Sequence, residues 1–114
     1  MKTIEIRRYL TPTGREPYGE WLSRLRDRQA KARVLVRIDR LENGNFGDSK
    51  AVRGGVHELR VDWGPGYRVY FGRDGDAVVI LLVGGDKRTQ TVDMDRAIEY
   101  WNDYQRRTSR DETT

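Results

Sequence analysis

The chain contains no cysteine, one histidine and three prolines among its 114 residues. The lack of cysteine excludes disulfides, zinc–thiolate sites and cysteine nucleophiles, which is usual for a reducing compartment. The single histidine, His57, offers little for a metal site, and we expect neither a metal nor a cofactor. No apolar run reaches transmembrane length, and charges interrupt the apolar stretches of the first eight residues. We therefore expect a cytoplasmic protein that does not use a membrane.

Charged residues are abundant. Lysine and arginine total 22 and aspartate and glutamate total 18, so the net charge is +4. A positive excess of this size fits a partner that is a nucleic acid or an acidic protein. The length suits one domain with one modest core. We predict a single domain over residues 1–106 and a frayed C-terminal tail over residues 107–114.

The patterning of the first half predicts one strand and two helices. Residues 3–7 alternate between apolar and polar side chains, which is typical of a strand. Apolar residues at helical spacing then predict a helix over residues 16–27 and a second helix that ends near residues 43–44. These two helices should form a helical hairpin. Residues 46–55 have no apolar period and are predicted to form a loop.

A β-hairpin is predicted from residue 56 onward, because its residues alternate at period two around the turn Gly64-Pro65-Gly66. If Trp63 faces Tyr67, one side of the hairpin is apolar. The other side then carries the polar residues Glu58, Arg60, Asp62, Arg68 and Tyr70. In this register Arg60 faces Tyr70, and Asp62 faces Arg68. An exposed face with two arginines favours an anionic visitor such as a phosphate.

The pair Asp74-Gly75 predicts a two-residue turn into a third antiparallel strand over residues 77–83, which is apolar on both faces. The predicted register puts Val78, Ile80 and Leu82 on the core face and Val79, Leu81 and Val83 on the cationic face. A C-terminal helix predicted over residues 92–106, or a partner protein, would have to cover the second set. The predicted fold is α+β, with the helical hairpin packed on one face of a small sheet.

Three short motifs lie on or directly after the predicted antiparallel strands. They are Glu58-Leu59-Arg60, Gly66-Tyr67-Arg68, and the run from Gly84 to Gln90 that follows the apolar strand. Together with the order of elements, they resemble the RelE/ParE toxin superfamily, and most of all its HigB-like addiction module killer branch, related to phage-derived Gp49-like proteins. The resemblance covers about residues 3–100. It implies a RelE-like fold and the toxin of a type II toxin–antitoxin system, with a small antitoxin, often a helix-turn-helix protein, as partner.

The resemblance leaves several functions open. Many RelE-like members cleave mRNA in the ribosomal A site, whereas ParE-like members inhibit DNA gyrase, and an inactive remnant would bind only its partner. A domain with few acid–base groups gains most from groups lent by a substrate complex. We therefore predict a metal-independent endoribonuclease, an mRNA interferase that binds mRNA and the ribosome and arrests translation and growth.

Cleavage of RNA without a metal needs a base, an acid and cations that hold the phosphate. The predicted catalytic residues are Arg60, Arg68, Tyr70, Lys87 and Arg88, and the predicted RNA-binding residues are Lys50, Arg53 and Glu58. The resemblance supplies Arg68 from the Gly-Tyr-Arg motif and the basic pair Lys87-Arg88 after the last strand.

The base and the acid are not identified by the resemblance. RelE has a tyrosine near its C-terminus, where this chain has Met94. Tyr70, His57 and Glu58 are the alternatives, although the predicted register puts His57 on the core face. Each cluster also fits a simpler description: Arg60, Arg68 and Tyr70 as a solvated sheet face, and Lys87-Arg88 as a polar loop.

Overall fold

The computed structural model describes residues 3–113, and their side chains as far as residue 109. The elements in chain order are β1 (Glu5–Arg8), α1 (Pro17–Arg24), α2 (Arg28–Glu42), β2 (Ser49–Ala51), β3 (Val56–Val61), β4 (Tyr67–Asp74), β5 (Val78–Asp86), a 3₁₀ turn (Lys87–Thr89) and α3 (Gln90–Thr113). The fold is α+β, as predicted, and consistent with a RelE-like fold. Within the described residues, no helix is both long and apolar enough to cross a lipid bilayer.

The strands form one five-stranded sheet in the order β1-β5-β4-β3-β2. β1 runs parallel to β5, and the other neighbouring pairs are antiparallel. The prediction of a loop over residues 46–55 is wrong in its middle, where β2 forms the edge of the sheet. A strand of three residues, of which two are exposed, is too short to show an apolar period.

The two faces of the sheet are covered by different helices. α1 and α2 pack on one face, which confirms the predicted helical hairpin, and α3 packs on the other. The hairpin-side core contains Tyr18, Val34, Leu41, Leu59, Phe71 and Leu81. The α3-side core contains Val56, Tyr70, Ile80, Leu82, Ala97 and Trp101. The strands β3, β4 and β5 are therefore buried on both sides.

Residues at the helix ends explain where the helices begin and stop. Pro17 occupies the first turn of α1, where its missing N–H is not needed. Asp27 caps α2, because its Oδ1 accepts hydrogen bonds from the N–H groups of Gln29 at 2.9 Å and Ala30 at 3.2 Å. Gly44 follows α2 with φ +87°, a conformation that favours glycine.

α3 is longer than predicted. It begins at Gln90 rather than near residue 92, and it continues to Thr113 rather than ending near residue 106. The predicted tail therefore begins inside this helix. The outer ends of the predicted domain and tail, residues 1–2 and 114, lie outside the described residues.

The register of the β3–β4 hairpin differs from the predicted one by two residues. Val61, not Trp63, lies opposite Tyr67, and Arg60 lies opposite Arg68. Glu58 lies opposite Tyr70. The turn is longer than predicted, and Gly64 and Gly66 adopt positive φ angles within it. Because the error is an even number of residues, each side chain still lies on its predicted face.

The faces of β5 are mostly the reverse of the prediction. Val79 and Leu81 belong to the core under the helical hairpin, whereas Ile80 and Leu82 belong to the core under α3, with Val78 packed against it. Asp74 pairs with Val78, so three residues rather than two connect the strands. One extra residue in a turn flips every following side chain to the other face. A bulge between Tyr70 and Phe71 then returns Val83 to the α3 side, as predicted.

Candidate functional site

Five of the predicted site residues lie in two neighbouring rows on the α3 side of the sheet. In the first row Lys50 is opposite Glu58, which is opposite Tyr70. In the second row Arg60 is opposite Arg68. Residues directly opposite each other on paired strands share a face, with Cβ atoms about 5 Å apart. The sheet therefore brings these five side chains together, although the pairs within the rows differ from those predicted.

The predicted open cationic face is largely covered. Glu58 and Tyr70 are fully buried, and Arg68 is also buried, with 11% of its side chain exposed. The cause is the apolar set on the same face of β5, which draws α3 across the sheet. The side chain of Arg60 remains 41% exposed and forms an ion pair with Asp48 at 3.3 Å, and Lys50 is exposed at the sheet edge. The part of the cluster that a ligand can reach is therefore its rim, which consists of Lys50, Arg60 and the exposed edge of Arg68.

Glu58 is the centre of the buried part. Its Oε2 accepts a hydrogen bond of 2.9 Å from Nε2 of Gln90 in the first turn of α3. Its Oε1 lies 3.5 Å from Nε of Arg68, which forms an ion pair with it. Nη1 of Arg68 donates to the carbonyl oxygen of Gly66 at 2.9 Å. The carboxylate thus links α3 to β4 and fixes the direction of the Arg68 guanidinium.

Several buried polar atoms around Glu58 form no hydrogen bond. Among the described side chains, six buried polar atoms have no hydrogen-bond partner, and four of them belong to this cluster: Glu58 Oε1, Arg60 Nε, Arg68 Nε and Tyr70 Oη. An unpartnered buried polar group costs about 1–3 kcal/mol. Glu58 Oε1 and Arg68 Nε face each other at 3.5 Å as an ion pair without a hydrogen bond, so Arg60 Nε and Tyr70 Oη are the two atoms of the four without such a contact. Such groups in proteins are explained by strain, by a catalytic role or by a bound water or ion.

Tyr70 keeps its proton at neutral pH. Burial raises the pKa of its hydroxyl far above the ordinary value of 10, and the nearby negative charges of Glu58 and Asp93 raise the pKa further. The hydroxyl is therefore a donor and not a general base. Asp93 itself is buried, and burial raises the pKa of its carboxyl as well.

Lys87 and Arg88 lie in the 3₁₀ turn after β5 and are both exposed. Asp86 caps this turn: its Oδ1 accepts from the N–H of Arg88 at 2.8 Å, and its Oδ2 lies 2.9 Å from Nη2 of Arg88. The Arg88 guanidinium lowers the pKa of Asp86 through these contacts. The charge of Arg88 is therefore partly neutralised.

Lys87 and Arg68 of the buried cluster both lie next to Gly66. A Cβ atom at Gly66 would lie 3.4 Å from Nη1 of Arg68 and 3.8 Å from Cβ of Lys87. The guanidinium of Arg68 and the Cβ of Lys87 thus flank the same turn. Arg53 is not part of this group, because it lies between β2 and β3 and forms an exposed ion pair with Asp95 of α3.

His57 lies on the hairpin side of the sheet, as the register predicted. Its ring stacks on Phe71 with centroids 5.2 Å apart. Burial lowers the pKa of the imidazole, and the charge of Arg73 lowers it further. His57 is thus separated by the sheet from Glu58 and Tyr70. The described residues include no group of three histidine or carboxylate side chains arranged to hold a metal ion.

Two polar residues of α3 were missed as site residues: Gln90, because the helix was predicted to begin near residue 92, and Asp93, which lies inside the predicted helix but was not assigned to the face toward the sheet. The sequence does contain a signal for the earlier start. Asp86 accepts from the turn that follows it, and Thr89 reaches back to the Asp86 backbone, which together form a capping box. A helix that starts there brings Gln90 and Asp93, three residues apart, onto the face toward the sheet.

Comparisons with known proteins cover most of this chain. The family model described as "Phage derived protein Gp49-like (DUF891)" matches residues 20–99. This range contains β2 to β5 and every predicted site residue. A protein of Haemophilus influenzae, described as "Uncharacterized protein", is 48% identical over 95 residues, which are 83% of this chain and 90% of that protein.

Proposed function

Because this chain belongs to the Gp49-like family of phage-derived proteins, a family of the RelE and HigB toxin type, we propose that it is the toxin of a toxin–antitoxin pair. Its partner in this proposal is a cognate antitoxin, and it acts in the cytoplasm. We assign it a metal-independent endoribonuclease activity toward mRNA on the ribosome. The fold alone does not distinguish this activity from gyrase inhibition, so the assignment rests on the site.

The observation that carries the assignment is the group of unpartnered buried polar atoms next to exposed cations. Glu58, Arg60, Arg68 and Tyr70 contribute the unpartnered atoms, and Lys87 lies beside them across Gly66. Two of these atoms are arginine nitrogens: Arg68 Nε faces the Glu58 carboxylate, whereas the guanidinium of Arg60 is exposed enough to donate charge-assisted hydrogen bonds to phosphate oxygens. A phosphodiester placed on the rim of this cluster would meet the exposed Lys87 and the half-exposed guanidinium of Arg60, which otherwise pairs with Asp48 at 3.3 Å.

In this proposal the exposed residues contact RNA, and the buried residues hold them in position. Arg60, Lys87 and the exposed edge of Arg68 contact the phosphate, while Lys50 and Arg88 bind the RNA backbone on either side. Glu58 and Tyr70 are fully buried and so do not touch RNA in this conformation. They act as positioning residues, because Glu58 fixes the Arg68 guanidinium.

Cleavage requires that the RNA 2′-oxygen attacks the adjacent phosphorus, that a base removes the 2′ proton, and that an acid protonates the leaving 5′-oxygen. The rim supplies cations for the charge that builds up on the phosphate oxygens. Among the described residues, His57 lies across the sheet and Tyr70 is fully buried, so neither of these predicted candidates is placed on the rim for the proton transfers. The proton carriers in this proposal come from the ribosomal complex.

The test is mapping of RNA 5′ ends after brief induction of the chain without its antitoxin in a bacterial host. The variant Lys87→Ala removes an exposed phosphate contact, and we expect a roughly 10- to 100-fold loss of cutting. Arg106→Ala is the matched control, since Arg106 is an exposed cation of α3. It lies 16 residues, or about 24 Å along the helix, from Gln90.

The expected result is cuts within translated codons for the unchanged chain and for Arg106→Ala, and few cuts for Lys87→Ala. Growth arrest with intact mRNA would contradict the nuclease assignment and favour gyrase or another protein target. Normal growth of cells that make the folded chain would instead indicate an inactive partner-binding remnant.

A further inference from the structure

A cleft of about 300 Å³ opens between α1, the end of β5 and α3. Its lining includes the aromatic residues Trp21 and Tyr100, the glycines Gly84 and Gly85, three acidic residues, Glu20, Asp86 and Asp93, and three arginines, Arg15, Arg24 and Arg96. The volume is at the lower end of the range for small-molecule sites. The cleft therefore has room for one nucleotide-sized group and not for a folded segment.

The cleft exists because β1 is short. β1 pairs with β5 only as far as Leu81, and the N–H of Tyr9 donates to the Leu81 carbonyl at 2.9 Å. In the described chain no strand pairs with this edge of β5 beyond that point. α1 lies on one side of the unpaired stretch and α3 on the other, so the strand edge forms the floor between two helices.

Two glycines let side chains from both helices approach this floor. A Cβ at Gly84 would lie 2.1 Å from the Trp21 ring, and a Cβ at Gly85 would lie 1.8 Å from Oδ2 of Asp93. Neither distance is possible for a real Cβ. Residues 84 and 85 must therefore be glycine for the indole of Trp21 and the carboxylate of Asp93 to occupy these positions.

The carboxylate of Asp93 is a buried acceptor with few partners. It is 6% exposed, and its Oδ2 accepts a hydrogen bond from the Thr89 hydroxyl. Within the described residues, its Oδ1 accepts no hydrogen bond and no cation lies within ion-pair distance; Oδ1 is not among the fully buried unpartnered atoms, so it is open to the cleft. Burial raises the pKa of this carboxyl, although the charge of Arg96 opposes the rise. The protein leaves this acceptor incompletely satisfied, so N–H donors from a ligand would find a partner here.

The rim of the cleft carries cations that are available to an anion. Arg24 and Arg96 are exposed and form no ion pair with any described residue. Arg15, by contrast, is held by both carboxylate oxygens of Glu20, at 2.6 Å and 3.1 Å. An aromatic wall, a buried N–H acceptor and two available cations match the three parts of a nucleotide: a flat base, its polar edge and its phosphate.

We propose that this cleft binds one nucleobase of the RNA substrate, with Trp21 against the base and Asp93 accepting hydrogen bonds from its Watson–Crick edge. Guanine is the preferred base, because it presents two adjacent N–H donors to a carboxylate, whereas uracil presents one. Arg24 and Arg96 hold the neighbouring phosphate. The inference rests on the proposed function in one respect, namely that RNA supplies the base.

The position of the cleft agrees with this role. Asp86 and Thr89 line it, and Asp86 also binds Arg88 of the 3₁₀ turn. Gly85 of the cleft floor lies opposite Arg68 across the β4–β5 pair. A base in the cleft would therefore lie next to the cations that are assigned to the phosphate backbone, and Asp93 would determine which base is read.

The binding test uses purified protein and three mononucleotides: guanosine, inosine and uridine monophosphate. The indole N–H signal of Trp21, assigned with Trp21→Phe, reports binding by NMR. We expect guanosine monophosphate to shift this signal and to bind about tenfold or more tightly than inosine monophosphate, which lacks the exocyclic amino group. Equal affinities for all three, or no shift of the Trp21 signal, would overturn the assignment.

Two further variants keep the test decisive. Asp93→Asn should remove the preference for guanosine over inosine monophosphate, provided that its thermal unfolding remains cooperative. If this variant does not fold, Arg24→Ala replaces it, because Arg24 is exposed. Arg24→Ala should weaken binding of guanosine monophosphate while leaving the affinity for guanosine, which has no phosphate, unchanged. An unchanged affinity for the monophosphate would contradict the proposed cleft.

Mapping of cut sites separates this inference from the proposed function. With the nuclease active, cuts should be enriched at one guanine position, and Asp93→Asn should lose that enrichment while cutting persists. Cuts without any base preference would refute the cleft assignment and leave the nuclease intact. Specific binding of guanosine monophosphate with intact cellular mRNA would refute the nuclease and leave the cleft assignment standing.

Discussion

Replacement of Arg68 by Met should destabilise the protein far more than an ordinary buried substitution. Glu58 is fully buried, and its Oε1 lies 3.5 Å from Nε of Arg68, the only cation that forms an ion pair with it in the described chain. Arg68→Met leaves this carboxylate buried without a counter-charge, which costs about 3–5 kcal/mol. For a chain of 114 residues, 1 kcal/mol lowers the melting temperature by about 4 °C, so we expect a fall of about 12–20 °C.

The double variant Glu58→Gln, Arg68→Met removes both charges and isolates this effect. The hydrogen bond from Arg68 to the Gly66 carbonyl is lost in both variants, so its contribution cancels. An amide at position 58 can still accept from Gln90, and we expect the double variant to lose only about 1–2 kcal/mol. Urea unfolding of both variants measures the difference. If Arg68→Met alone is no less stable than the double variant, the argument from a buried unpaired charge is wrong.

Three other substitutions test separate parts of the structure. Gly85→Ala should cost about 1–3 kcal/mol in urea unfolding, because the new methyl group would meet the Asp93 carboxylate. Asp27→Ala should cost about 1 kcal/mol or more, since α2 loses its N-cap and Trp63 loses the acceptor of its indole N–H. The pKa of His57 is lowered on folding, so stability should be lost as the pH falls from 7 toward 5, and unfolding curves of His57→Asn should show a weaker loss over that window.

The order of elements was predictable because most segments have a clear period and distinct end signals. The helical hairpin, the three antiparallel strands and α3 all follow from such patterns. The faces of β3 and β4 were also correct even though the register was wrong by two residues. Alternation fixes the face of a strand residue, whereas the length of a glycine-rich turn decides the register.

The faces of β5 could not be derived from the turn sequence. The pair Asp74-Gly75 is typical of a two-residue turn, yet the connection here contains three residues, and a bulge follows at Tyr70 and Phe71. A strand that is apolar on both faces gives no internal signal with which to correct such an error. β2 was missed for a related reason, since three residues are too few to show alternation.

The grouping of the candidate residues on one face of the sheet was predicted better than their exposure. The strand pattern placed Glu58, Arg68 and Tyr70 on one face, and they do lie together there. Their burial depends on α3, which packs over the same face, and on Gln90, which binds Glu58. Such tertiary contacts cannot be inferred from the alternation of a strand. The consequence for function is that the exposed cations, rather than Tyr70, are assigned to contact RNA.

The most direct measurement is cleavage of a defined, end-labelled mRNA on purified ribosomes by the purified chain. We predict cuts at a single codon with the unchanged protein and with Arg106→Ala, and at least tenfold slower cutting with Lys87→Ala at equal thermal stability. Intact mRNA with folded, unchanged protein would contradict the central claim that the cationic rim of this sheet acts on RNA.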